Sequence, residues 1–367
     1  MDVNRAWLVP TMALLTACSS TSTSTPTSTG IRSQEPRAYQ QLAITNDVAP
    51  SPRDLYAMVY FPPDAEVVLF GGVDENGHSL GDTWAFDQHG WRELHPATSP
   101  PARAQLAMAY DPALREIVLY GGCTSCGSPG FHLVQDTWAF NGTTWRQLTS
   151  LHLPTYEPSP LLSWDIATRA LELLAPPPGY GPNPPNGDFD ANGGALGRWS
   201  WGASGWTWDG APPGPPLFVQ GGVAFVPEPG SSTMVYYSYQ PYSGSCVGIT
   251  PVRCGSDPTG LLYSQTWTWD GRAFARLTPT VAPGLAAVVS DPRVGSVVAV
   301  AGSRVWIWTG RTWQVIASNV PPTAVGGAAE YDPDLGDVVV LGGTTGPNPR
   351  TVTWVWDGST WMIAAAS

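Results

Sequence analysis

One phrase recurs six times along this chain and restricts what it can fold into. It is a tryptophan, any residue, an aromatic, then four residues and another aromatic. The copies begin at Trp84, Trp138, Trp199, Trp267, Trp306 and Trp354, and their closing aromatics are Trp91, Trp145, Trp206, Phe274, Trp313 and Trp361. The spacing inside the phrase is seven residues in all six copies, while the step between copies drifts. A fixed hairpin joined by variable linkers produces that combination. Repeats of this length are structural units that bury a face only by stacking on their neighbours.

A second phrase precedes each copy. AMVYFPPDAEVVLFGG (57–72), AMAYDPALREIVLYGG (107–122) and AAEYDPDLGDVVVLGG (328–343) share two apolar runs, a turn and a closing glycine pair. The three middle units keep the runs and lose the pair: LLSWDIATRALELLAP from Leu161, GVAFVPEPGSSTMVYYSY from Gly222 and AAVVSDPRVGSVVAVAG from Ala286. Short apolar runs bounded by turn residues read as buried strands. Asp-Pro at 111–112, 291–292 and 332–333 opens a tight turn, because the aspartate accepts a forward hydrogen bond and the proline presets φ. Each unit is therefore two hairpins, strands a-b and c-d.

The apolar run with Gly-Gly, the loop, the aromatic run and the spaced tryptophan resemble kelch repeats, over roughly Leu55 to Ile363. The steps scatter around the kelch length of about 50 residues. The resemblance implies an all-β, six-bladed β-propeller of four-stranded blades. The repeat tryptophans are then expected in the core, filling the wedges between twisted sheets.

Composition fits a turn-rich all-β protein: of 367 residues, 40 are glycine, 38 proline and 18 tryptophan. The net charge of −12 argues against nucleic acid, which needs a basic surface. Every one of the 17 basic residues is arginine, which excludes Schiff-base and P-loop lysines.

Residues 1–17 read as a signal peptide, with Arg5 ahead of an apolar run too short to span a bilayer. Leu15-Thr16-Ala17-Cys18 resembles a bacterial lipobox, which implies lipidation of Cys18. A plain secretory signal is the other reading. Residues 18–38 form a Ser/Thr/Pro-rich tether unable to bury a core. The propeller is assigned to 39–367. Tyr39 to Leu42 (YQQL) echoes the WRQL of an outer strand, and Pro50-Ser51-Pro52-Arg53 matches Pro100-Pro101-Ala102-Arg103. Trp361 is expected to open the fourth strand of the last blade, with Tyr39–Leu42 beside it as a clasp. The expected location is extracytoplasmic, as a membrane-anchored lipoprotein of a bacterium, touching the membrane only through its lipid. A closed propeller has few free strand edges, so a monomer is expected.

Strand direction alternates within a blade, so a-b and c-d turns share one face, and b-c and d-a connections share the other. The b-c loops of the second, third and fourth blades are long, and long loops are where function concentrates. That face supplies the ligand-binding candidates Phe131, His132, Tyr180, Phe189, Tyr242 and Tyr263. Aromatics beside polar groups suit sugar or protein contacts; equally, they pin loops onto the propeller. With Cys18 lipidated, four cysteines remain. In an exported protein disulfides are the default, Cys123–Cys126 and Cys246–Cys254 by proximity, with a four-cysteine zinc site as rival. Asp188, Asp190 and Asn192 have the alternate-donor spacing of a calcium loop, but Trp199 stands where the twelfth-position acid belongs. A plain polar turn is the alternative, and no cofactor is assigned apart from this calcium candidate. His78, His132 and His152 fall on the same side with no spacing that enforces a metal.

Kelch resemblance extends to the central domain of galactose oxidase, whose copper chemistry needs histidines across several blades. Here the last three blades contain no histidine. No motif carries over an epimerase site, and turns such as Trp356 to Trp361 echo only the end of a sialidase Asp-box. No nucleophile or acid–base constellation emerges, so no catalytic residues are assigned. The expected function is a binding or interaction module for an extracellular glycan or protein. The alternative is an extracytoplasmic carbohydrate-active enzyme (oxidase, epimerase or sialidase-like) on the same propeller.

Overall fold

The computed structural model describes residues 48–126, 132–154, 160–178, 197–215, 222–240, 263–279, 281–283, 286–301, 304–317, 328–344 and 350–366. The signal peptide, Cys18, the tether and Tyr39–Leu42 lie outside them. Six four-stranded antiparallel sheets are formed, each in the order a-b-c-d, and no helix occurs among the described residues. The a strands are Ala57–Phe61, Ala107–Asp111, Leu161–Asp165, Gly222–Pro227, Ala287–Asp291 and Ala329–Asp332. Each neighbours the next, and the sixth neighbours the first. The chain is a six-bladed β-propeller.

The b strands are Glu66–Phe70, Glu116–Tyr120, Ala170–Ala175, Met234–Gln240, Ser296–Ala301 and Asp337–Thr344. Their apolar runs are continuous because each sheet is covered on both faces. The c strands are Thr83–Asp87, Thr137–Phe140, Gly197–Gly202, Tyr263–Trp269, Arg304–Trp308 and Arg350–Trp356. The d strands are Gly90–Leu94, Trp145–Leu148, Gly205–Gly210, Phe274–Leu277, Trp313–Ala317 and Trp361–Ala366. The last blade thus draws all four strands from the C-terminal part of the chain, with Trp361 opening its outer strand.

Apolar clusters straddle neighbouring blades. Tyr56, Met58, Val67 and Trp91 of blade 1 pack with Val339, Leu341, Val355 and Ala364 of blade 6. Most repeat tryptophans are buried as expected, Trp91, Trp145, Trp199, Trp206 and Trp313 almost fully. Trp267, Trp354 and Trp361 keep an accessible edge, because they pack at cluster margins.

Side chains latch one blade to the next. The residue before the first repeat tryptophan is a threonine in four blades, and each accepts from the indole of the next blade's d strand. Trp145 Nε1 donates to Thr83 Oγ1 at 3.1 Å, Trp206 to Thr137 at 2.9 Å and Trp313 to Thr266 at 3.0 Å. Trp91 donates to Thr353 at 2.7 Å across the seam between blades 6 and 1, where the ring closes. Where the next aromatic is Phe274, which has no donor, Arg198 stands in place of threonine.

The Asp turns form as expected. Asp111, Asp165, Asp291 and Asp332 are buried, and each Oδ1 accepts the N–H groups two and three residues on.

The glycine pairs behave differently from one another. Gly71 and Gly121 leave strand b at φ +72° and +69°, into a conformation that side chains disfavour. A Cβ on Gly71 would lie 2.5 Å from the Arg103 carbonyl oxygen, and one on Gly122 would lie 2.6 Å from that of Ala104. Gly71 thus admits the connection that leaves its blade, and Gly122 the connection that enters its own. Gly342 and Gly343 look the same in sequence, yet they stay inside strand b, paired with Val352 and Thr351.

Candidate functional site

On the long-loop face an arginine holds each true glycine turn. Arg53 Nη1 donates to the Gly71 carbonyl at 3.0 Å, and its guanidinium grips both oxygens of Asp82 at 2.7 Å. Arg103 repeats this in blade 2, on the Gly121 carbonyl at 3.0 Å and on Asp136 at 2.5 and 3.0 Å. Each aspartate also accepts from the indole two residues on, Trp84 or Trp138. Both guanidinium groups are essentially inaccessible. Burial alone would raise the Asp82 and Asp136 carboxyls, but the arginine and indole donors hold both below the usual range. The Pro-x-x-Arg match was visible in sequence; its carboxylate partners, 29 and 33 residues away, were not. With their donors occupied, these arginines serve the fold.

The same face carries the long-loop candidates. The blade 2 loop contains its own ribbon, Cys123–Ser125 against His132–Leu133. Cys123 and Cys126 have Cα atoms 5.5 Å apart and adjacent sulfurs, a separation suited to a disulfide. His132 is exposed, with Nδ1 3.2 Å from Thr124 Oγ1. Tyr263 is the first residue of a c strand, its backbone paired with Gln240, and not a loop residue. Phe131, Tyr180, Phe189, Tyr242, Asp188, Asp190, Asn192, Cys246 and Cys254 lie outside the described residues. His78 is exposed and organises its own loop, Nδ1 3.2 Å from Asp74 Oδ2. Among the described residues no group of three or more His, Cys, Asp or Glu is placed to hold a metal.

The structure brings together a different set on the short-turn face, which sequence reasoning missed. The penultimate residue of strand a is aromatic in four consecutive blades: Tyr331, Tyr60, Tyr110 and Trp164 in blades 6, 1, 2 and 3. Each keeps an accessible edge and packs on a cluster shared with the preceding blade. Tyr110 meets Phe61 edge-on with ring centroids 6.0 Å apart, and Tyr60 donates its hydroxyl to Asp334 of the blade 6 turn.

At the seam between blades 6 and 1 a carboxyl crosses from one blade to the next. Innermost strands have one unpaired edge, facing the channel. Glu330 of blade 6 reaches across to that edge of blade 1, where its Oε1 accepts the Tyr60 N–H at 3.1 Å. By strand register the equivalent positions of the other blades hold Val59, Ala109, Ser163, Val226 and Val289. Glu330 is enclosed yet keeps an accessible edge. Burial pushes its carboxyl up to about 8; Asp332 adds to this and the Tyr60 N–H opposes it. At neutral pH it is mainly a carboxylic acid, able to donate and accept. At the neighbouring seam Arg293 donates to Asp291 at 2.8 Å and to the Gly336 carbonyl at 2.9 Å, and lies over the Trp356 ring. Burial raises Asp337 there to about 6 against the pull of Arg293.

The sequence matches no protein-family model and no curated protein. Solved structures share the fold. AofleA from Arthrobotrys oligospora is 15% identical, with a TM-score of 0.51 over 84% of each chain. The SapL1 lectin, solved in complex with alpha methyl fucoside, is 11% identical with a TM-score of 0.50, over 86% of this chain and 96% of that one. Likeness at this identity describes the architecture alone.

Proposed function

We propose that this protein is a kelch-type carbohydrate-binding propeller, tethered outside the cytoplasm through a lipidated Cys18, with Cys123–Cys126 bridged. One observation carries the binding reading: the row of partly exposed aromatics, Tyr331, Tyr60, Tyr110 and Trp164, set at equivalent seams, with carboxylates beside Tyr60 and Tyr331. Flat aromatic faces with adjacent hydrogen-bonding groups are the equipment that sugar rings require, since one face of a sugar is apolar and its edge is polar. The SapL1 lectin, similar in architecture and solved in complex with alpha methyl fucoside, supports the reading.

The test is a glycan array probed with the full chain carrying Cys18→Ala, with and without calcium. Saturable binding to a sugar class supports the reading, and dependence on calcium would implicate Asp188 and Asp190. A blank array from folded protein overturns it. Fractionation of cells expressing the unaltered and the Cys18→Ala chains tests the anchor: loss of the membrane-bound pool on substitution is expected.

A further inference from the structure

We propose that the seam between blades 6 and 1 is the principal saccharide subsite, with Tyr60 as the stacking face and Glu330 and Asp334 as the groups that fix the sugar's hydroxyls. This rests on the carbohydrate-binding reading and says where and what the protein binds.

Three observations single out this seam. First, Glu330 occupies a position that is apolar or serine in the other five blades. An enclosed carboxyl there costs stability unless it is paired. The groups that bear on it, Tyr60 and Asp332, bring no positive charge, so it is not half of an ion pair. Its one described hydrogen bond is the Tyr60 N–H. Second, Tyr60 is held at both ends: its backbone by Glu330 and its hydroxyl by Asp334. A ring fixed in this way loses little freedom when a ligand lands on it, which favours affinity. Third, the seam closes the ring through Tyr56, whose hydroxyl donates to the Leu341 carbonyl at 2.6 Å and accepts the Ala328 N–H at 3.2 Å. The subsite thus sits on a rigid floor of inner strands.

The chemistry selects the ligand class. Glu330 offers a donor and an acceptor, Asp334 offers acceptors, and Tyr60 offers an apolar face. Vicinal hydroxyls on a neutral hexose or deoxyhexose satisfy all three. The carboxylates of Asp332 and Asp334 repel uronic and sialic acids, and no cation is among the groups that bear on Glu330.

The experiment is calorimetric titration of the Cys18→Ala chain with methyl α-L-fucoside, methyl β-D-galactoside, methyl α-D-mannoside and glucuronate. One of the neutral glycosides is expected to bind, with glucuronate at least tenfold weaker. Tyr60→Ala is expected to weaken binding tenfold or more, and Tyr60→Phe and Glu330→Gln by less. His78→Ala, on the opposite face, is expected to bind as the unaltered chain does. Melting curves check that each variant folds. If Tyr60→Ala unfolds, Tyr60→Phe and Glu330→Gln still decide. Binding equal across folded variants overturns this subsite and leaves the carbohydrate reading standing. Preference for glucuronate overturns the ligand class. No binding to these probes by a chain that is positive on the array overturns the subsite; a chain negative on both overturns the broader reading too.

Discussion

Blades 1 and 2 and blades 5 and 6 are built from the same phrase, yet they treat their tryptophans differently. In blades 1 and 2 each repeat indole N–H has an acceptor: Trp84 on Asp82, Trp91 on Thr353, Trp138 on Asp136 and Trp145 on Thr83. In blades 5 and 6, Trp306, Trp308, Trp354, Trp356 and Trp361 bury an indole N–H with no hydrogen-bond partner. The difference traces to a few positions. Asp82 and Asp136 are replaced by Arg304 and Val352, and the threonine that would receive Trp361 is Val305. The stretch before strand a of blade 6, Pro321-Pro322-Thr323-Ala324, has no arginine. The glycine turn, the arginine and the aspartate therefore form one device, present whole in two blades. Gly342-Gly343 alone does not make the turn.

The largest expected effect breaks this device. Arg103→Ala takes a buried guanidinium from the partly buried Asp136 and the buried Gly121 carbonyl, at a cost of about 2–4 kcal/mol. Chemical denaturation would measure it; a loss under 1 kcal/mol would show that the clamp is incidental.

The next effect runs with pH. Glu330 is raised from 4.5 to about 8 in the folded chain. A carboxyl so raised keeps its proton when folded and loses it when unfolded, so stability falls as pH climbs from about 4.5 to 8. Asp337 acts in the same direction up to about 6. Asp82 and Asp136, held low, act oppositely: their contribution is lost as pH drops below the normal aspartate range. Melting temperature followed from pH 5 to 8 should decline, and Glu330→Gln should flatten the decline. An unchanged slope would contradict the assignment.

Thr353→Val removes the acceptor of Trp91 at the closing seam and should cost about 1–3 kcal/mol. A smaller change is a gain. Val305→Thr places a hydroxyl where Thr83 and Thr353 stand in their blades, facing Trp361, and should stabilise by about 0.5–1.5 kcal/mol. A destabilised Val305→Thr chain would mean that blade 5 does not share the geometry of the other seams.

The architecture was legible because the repeat is carried by residues whose burial or turn role is local: the spaced aromatics, the Asp turns and the continuous b-strand runs. What joins blades was not. Arg103 and Asp136 lie 33 residues apart, and Trp91 and Thr353 lie 262 apart, so only the closed ring shows them as pairs. Glu330 reads in sequence as one polar letter in a strand; its weight comes from the Tyr60 backbone of a blade at the other end of the chain. Loop length directed attention to the opposite face, where His132 is the one ligand candidate with a described side chain.

The most direct measurement is a crystal structure of the chain with the neutral glycoside that binds best. The account predicts a sugar ring stacked on Tyr60 with its hydroxyls on Glu330 and Asp334. A sugar bound instead among the long loops around Cys123–Cys126 and His132, with the seam between blades 6 and 1 empty, would contradict it.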